Sequence, residues 1–133
     1  MGRINVNPEA EVSTGFEAVK AGTYRMRIKE VIDRNPEKND LRIVLEHTTP
    51  AVELYGISGE PLKGQPSSVF DYIMLDPAKQ WKLRALTEAV GLPWEDYDPI
   101  VELTGREVDV ILKLEEYNGE QNNKVNRYIV PKE

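Results

Sequence analysis

The sequence contains no cysteine, and His47 is the one histidine among its 133 residues. Without thiols there are no disulfides, no thiolate zinc or iron–sulfur sites and no cysteine nucleophile. A lone histidine weighs against Ser-His-Asp chemistry, which needs a nucleophile and an orienting carboxylate around the base. His47 also has no metal-ligating neighbour in its stretch of sequence. No apolar run approaches the roughly 20 residues of a membrane-spanning helix, so no membrane association is expected. The opening residues, Met1-Gly-Arg-Ile-Asn-Val-Asn-Pro8, lack the apolar stretch of a secretory signal, and a cytoplasmic location is expected. Gly56, Gly59 and Gly64 have neither the P-loop lysine pattern nor a following helix. Trp94-Glu-Asp-Tyr-Asp98 lacks the glycine-centred spacing of a calcium loop and reads as a solvated acidic turn. Glu115 and Glu116 fall on opposite faces of a strand and do not converge as an acid/base pair. We therefore expect no enzyme, no metal site and no cofactor.

What is present is the composition of a small globular domain, 40% hydrophobic and 30% charged. A chain of this length suits one domain. Seventeen basic against 23 acidic residues give a net charge of −6, which taken alone speaks against nucleic-acid binding. The charge is unevenly spread. Residues 22–47 carry six basic and five acidic groups, whereas residues 76–105 carry three and six. A local basic surface is compatible with that distribution.

Residues 1–15 are polar and read as a flexible N-terminal arm, leaving residues 16–133 as a single domain. In Thr23–Ile32, Tyr24, Met26 and Ile28 alternate with Arg25, Arg27 and Lys29, the period of a half-buried strand. Asn35–Asp40 is a turn by composition, and Leu41–His47 a second strand with Leu41, Ile43 and Leu45 inward. The stretch 48–66 holds three prolines and three glycines and forms a long loop, with Ala51–Tyr55 a candidate short strand inside it. Ser67–Leu75 is a third strand. Asp71 alternates there with Phe70 and Tyr72, and burying an unpaired carboxylate is costly, so the two aromatics are expected to point inward. Asp76 and Pro77 open a helix that Gly91 and Pro93 stop. Trp81 and Leu86 are expected to pack into the core, with Trp94 capping the helical segment. Asp98-Pro99 starts one further short turn. Arg106–Glu116 and Asn123–Val130 are strands joined through the hairpin signal Asn118-Gly119.

The order strand-strand-strand-helix-strand-strand is that of the OB-fold, an all-β five-stranded barrel with one helix (α+β by count). An antiparallel α+β sandwich would give the same string. Ala21-Gly-Thr-Tyr-Arg-Met-Arg-Ile28, Trp81-Lys-Leu-Arg-Ala-Leu-Thr-Glu-Ala-Val-Gly-Leu92, Leu103-Thr-Gly-Arg-Glu-Val-Asp-Val110 and Asn123-Lys-Val-Asn-Arg-Tyr128 carry a family likeness. On these stretches, spanning residues 16–131, the chain resembles small phage-encoded proteins of the DUF669 type. That resemblance implies a single-stranded-DNA-binding protein of a phage replication or recombination module, with replication or recombination proteins as further partners. Many single-stranded-DNA-binding proteins end in an acidic partner-recruiting tail, and this sequence stops at Pro131-Lys-Glu133, so recruitment by a tail is not expected.

The residues themselves offer a row of Arg25, Arg27 and Lys29 on the outer face of the first strand. Arg42 lies on the same face of the second, and Lys113 on the fourth. Tyr117 and Tyr128, with Lys124 and Arg127 on the last strand, are candidate stacking and phosphate-tracking positions. The same cations would equally solvate an outer sheet face, and either tyrosine would equally serve as a core or rim residue. Convergence of Arg25, Arg27, Arg42 and Lys113 on one groove favours DNA binding. Dispersal favours a protein–protein adaptor or small phage structural module without nucleic-acid binding. Exposed strand edges also allow a homodimer.

Overall fold

A computed structural model describes residues 16–34, 37–95 and 97–131, apart from the side chain of Tyr117. The proposed N-terminal arm, residues 1–15, lies outside the described residues. Besides a short parallel pair, Phe16–Glu17 with Gln65–Pro66, the described residues form five longer strands: β1 Gly22–Asp33, β2 Asp40–His47, β3 Val69–Met74, β4 Glu107–Tyr117 and β5 Glu120–Tyr128. They form one antiparallel sheet in the order β3-β2-β1-β4-β5. The sheet curls into a nearly closed barrel of OB-fold type, as the order of elements predicts. Helix α1, Trp81–Ala89, and the short α2, Pro99–Leu103, sit between β3 and β4. Among the described residues no helix is long and apolar enough to cross a membrane.

The strand alternation is visible in burial. Met26, Ile28, Ile43, Leu45, Val108, Val110 and Leu112 are fully buried, while Arg25, Arg27 and Lys113 are exposed. β1 slips by one residue between Ile28 and Glu30, a bulge that leaves Lys29 exposed and without a ladder partner on β2. The β4–β5 hairpin turns on Asn118 and Gly119, both at positive φ, as a two-residue turn of this type requires.

Asp76 accepts from the Ala78 N–H at 2.9 Å and starts a 3-10 turn, Pro77–Lys79, ahead of α1. At the far end Leu92 N–H donates to the Thr87 carbonyl and Gly91 N–H to Glu88, with Gly91 at φ +88°. This left-handed stop satisfies two carbonyls that the helix end would otherwise orphan. Asp98 caps α2 in the same way as Asp76, through the Ile100 N–H. In the loop, Ala51–Glu53 forms a 3-10 turn instead of the expected strand, because the Glu53 N–H turns back to the Pro50 carbonyl. Leu54 directly after it is buried in the core.

Two further expectations are overturned. Trp81 is 72% exposed. The buried stripe of α1 is Leu83, Leu86, Thr87 and Ala89, and at about 100° per residue Trp81 lies roughly 140° around the helix from Leu86. The second reversal concerns β3, where Asp71 is buried at 6% exposure, and Phe70 and Tyr72 face outward at 44% and 39%. Asp71 is not alone inside. Its Oδ1 accepts from Lys82 Nζ and its Oδ2 from the Tyr128 hydroxyl, each at 2.6 Å. β3 and β5 are the two ends of the sheet and share no ladder. Those hydrogen bonds close the barrel across that seam and tie in α1.

Two predictions follow from the packing. Trp81→Ala should shift stability by no more than about 0.5 kcal/mol, while Leu86→Ala, which opens a cavity, should cost about 2–5 kcal/mol. Urea-unfolding midpoints distinguish them. At the seam, Tyr128→Phe should cost about 1–3 kcal/mol and Asp71→Ala about 3–5 kcal/mol, because the latter strands Lys82. Burial, reinforced by Asp71, raises the Tyr128 phenol well above its ordinary 10.0. The native state therefore keeps a proton that the unfolded chain releases. Stability should be intact below about pH 10 and fall as pH rises toward the native value, and Tyr128→Phe should flatten that alkaline fall.

Candidate nucleic-acid interface

Because Asp71 points inward, the strand period of two turns Phe70, Tyr72 and Met74 to the outside of β3. Register then sets their neighbours on β2: Val44 stands opposite Phe70, Arg42 opposite Tyr72 and Asp40 opposite Met74. The Arg42 guanidinium lies 5.2 Å from the centre of the Phe70 ring. Arg34, just beyond β1, lies 4.5 Å from the centre of the Tyr72 ring. Guanidinium groups are drawn to ring faces electrostatically. Asp40 fixes Arg34 there by accepting two parallel bonds, from Nε and from Nη2, each at 2.7 Å. Arg42 Nε is buried and has no hydrogen-bond partner among the described residues.

Beside the rings runs a groove of about 730 Å³ between the outer side of β3 and the β4–β5 hairpin, lined by Phe70, Tyr72, Ser68, Asn122, Glu115 and Lys124 among others. That volume lies within the roughly 300–1,000 Å³ typical of ligand sites. Lys124 is ion-paired with Glu115 at 3.6 Å. The outer face of strands 2 and 3 is where OB-folds receive oligonucleotides and oligosaccharides.

The remaining candidates are placed as follows. Arg25 and Arg27 point outward as expected, but they do not form a free basic row. Register sets Arg25 opposite Asp109 and Arg27 opposite both Glu107 and Glu46. Arg25 pairs with Glu107 at 3.2 Å and Asp109 at 3.3 Å, and Arg27 with Glu46 at 3.0 Å. Two cations thus face three carboxylates. Lys113 is exposed on β4 opposite Lys124, and Arg127 is exposed on β5 opposite Ile111. Arg25, Arg27, Arg42 and Lys113 are therefore spread over three strands and do not converge on one groove.

Tyr128 is corrected from stacking platform to core residue. It is 4% exposed with its hydroxyl committed to Asp71, so its ring reaches no ligand unless the barrel opens. The side chain of Tyr117 lies outside the described residues. His47 stacks edge-on against Tyr24 at 5.1 Å, and burial lowers its pKa. Sequence reasoning turns Phe70 and Tyr72 inward on account of Asp71, whereas they face outward, and it does not single out Arg34. The one signal that could have found them was a candidate partner for Asp71, and Lys82 and Tyr128 were both present in the sequence.

No protein-family model matches the chain, and comparison with curated proteins finds no match. The geometry has to carry the functional argument.

The Arg34 pair gives a pH prediction. Hydrogen bonding from Arg34 holds the Asp40 carboxyl below its ordinary 3.8. The stability this contributes is complete above that value and is lost as pH falls through the depressed native value. Asp40→Asn should therefore flatten the acid limb of urea midpoints measured from about pH 5 to about pH 2. An acid limb as steep as the parent's would show the pair to be energetically idle.

Proposed function

We propose that the protein is a sequence-tolerant single-stranded-DNA-binding protein, acting in a phage replication or recombination module as the resemblance implies. Binding runs across the outer face of β2 and β3. The observation that carries this reading is the pair Phe70 and Tyr72, exposed at alternate positions of β3, each ring with a guanidinium against it. Rings two residues apart on a strand are attached about 6.6 Å apart. Bases stacked in a duplex are spaced about 3.4 Å. Two neighbouring bases can lie on both rings only if they unstack, which a single strand does at little cost. Aromatic platforms tolerate any base because every base has a π-face. Arg42, which has no ion pair among the described residues, supplies local positive charge beside the rings, while Arg34 is neutralised by Asp40.

The dispersal of the other cations and the neutralised Arg25–Arg27 face favour the second reading, a protein–protein adaptor. Titration of the intrinsic fluorescence with poly(dT) at low and moderate salt separates the two. Saturable binding is expected. Phe70→Ala and Tyr72→Ala should each lose about 1–3 kcal/mol with little change in salt dependence. Arg42→Ala should reduce the log–log salt slope by about 0.7, the value for one phosphate contact. Arg25→Ala and Arg27→Ala should leave that slope unchanged. Absence of saturable binding by the parent overturns the DNA reading in favour of the adaptor.

A further inference from the structure

Phe16 opens the two-residue strand Phe16–Glu17. It is 71% exposed, yet the segment that carries it is anchored at several points. Asn123, buried on β5, holds Val19 like a missing strand neighbour: its Oδ1 accepts from the Val19 N–H at 2.8 Å, and its Nδ2 donates to the Val19 carbonyl at 2.9 Å. Val19 itself is fully buried. The Glu17 carboxylate accepts from the backbone N–H groups of Lys63 and Gly64, and the Glu17 carbonyl accepts from Ser67 N–H at 2.9 Å. Phe16 and Glu17 lie parallel to Gln65 and Pro66. The neighbours do the anchoring, and the Phe16 ring is left lining the same groove as Phe70 and Tyr72.

The charge of that groove decides what it takes. Its ionisable lining groups, Glu115 and Lys124, are paired with each other, so it offers no net attraction to phosphate. It offers three aromatic rings and neutral polar groups such as Asn122 and Ser68.

We propose that Phe16 is a third base-stacking platform, presented by the Asn123-anchored segment on the groove beside Phe70 and Tyr72. This rests on the single-strand reading given above and adds to it a wall contributed by residues outside the five-stranded sheet. The strand enters this groove through its bases, and its phosphates stay toward solvent.

The test is titration of an unstructured dT oligonucleotide, alongside a matched abasic strand, with the parent and with Phe16→Ala, Phe16→Leu and Phe16→Tyr. Alanine and leucine should weaken dT binding about ten-fold or more, and tyrosine should restore it, with the salt slope unaltered throughout. The abasic strand should bind weakly and be indifferent to all three substitutions. Leucine keeps an apolar side chain there, so a loss caused by misfolding would appear in its melting curve. If the parent binds dT and Phe70→Ala weakens it while Phe16→Ala and Phe16→Leu bind like the parent, this inference falls and the broader reading stands. If the parent does not bind dT, the broader reading falls first.

Discussion

The inward commitment of Asp71 is the constraint on which the architecture turns. A sheet that curls without a ladder between its end strands leaves a seam, and seams are closed by side chains or not at all. Here one carboxylate serves three elements. It receives the ammonium of α1 on one oxygen and the phenol of β5 on the other, and its backbone belongs to β3. With both acceptor oxygens occupied, the desolvation that would otherwise forbid a buried carboxylate is offset. Removing one partner would leave a charge stranded, which makes this a rigid choice for β3.

That choice propagates outward because a strand has only two faces. A single slip of β3 would exchange every inner residue for an outer one. With Asp71 inside, Val69 and Ile73 join it in the core, while Phe70 and Tyr72 stand on the surface opposite β2. Aromatic rings on the end strand of a sheet invite unwanted association. The guanidinium groups of Arg34 and Arg42 cover them in part, and Asp40 keeps one of those groups in place. Arg25 and Arg27, by contrast, are held by carboxylates across the ladder, and exposed pairs of that kind contribute roughly 0–1 kcal/mol. Of the two guanidinium groups at the rings, Arg34 is balanced by Asp40 and Arg42 has no ion pair among the described residues.

Much of the fold was legible in the sequence because its signals are local. Alternation in β1, β2 and β4, Asp76-Pro77 and Gly91 around α1, and Asn118-Gly119 at the last turn each follow from residues within a few positions of one another. The phases of β3 and α1 were not legible, and both failures have one cause. Whether Asp71 can be buried depends on Lys82, 11 residues away, and on Tyr128, 57 residues away. Judged without them, the cheaper arrangement puts the carboxylate outside and the aromatics inside. In α1 two apolar stripes compete, Trp81 with Ala85 and Leu83 with Leu86, and only tertiary packing buries the second of them. The candidate site inherited the same error: its cations were read correctly as outward-facing, but their cross-strand carboxylates and the neighbouring rings depend on register.

The seam and the proposed binding face are therefore two sides of one strand, and this links stability to function in a specific way. Lys82 and Tyr128 bond to Asp71 on the inner side of β3, and so hold the phase that exposes Phe70 and Tyr72. Asn123 does comparable work on β5, where it fixes Val19 and with it the segment that carries Phe16. In the reading proposed here, buried polar groups do the orienting and exposed rings do the contacting. A chain of net charge −6 gains little from long-range attraction to a polyanion. Its affinity has to come from contact, and contact of that quality requires rings held in place by groups the ligand never meets.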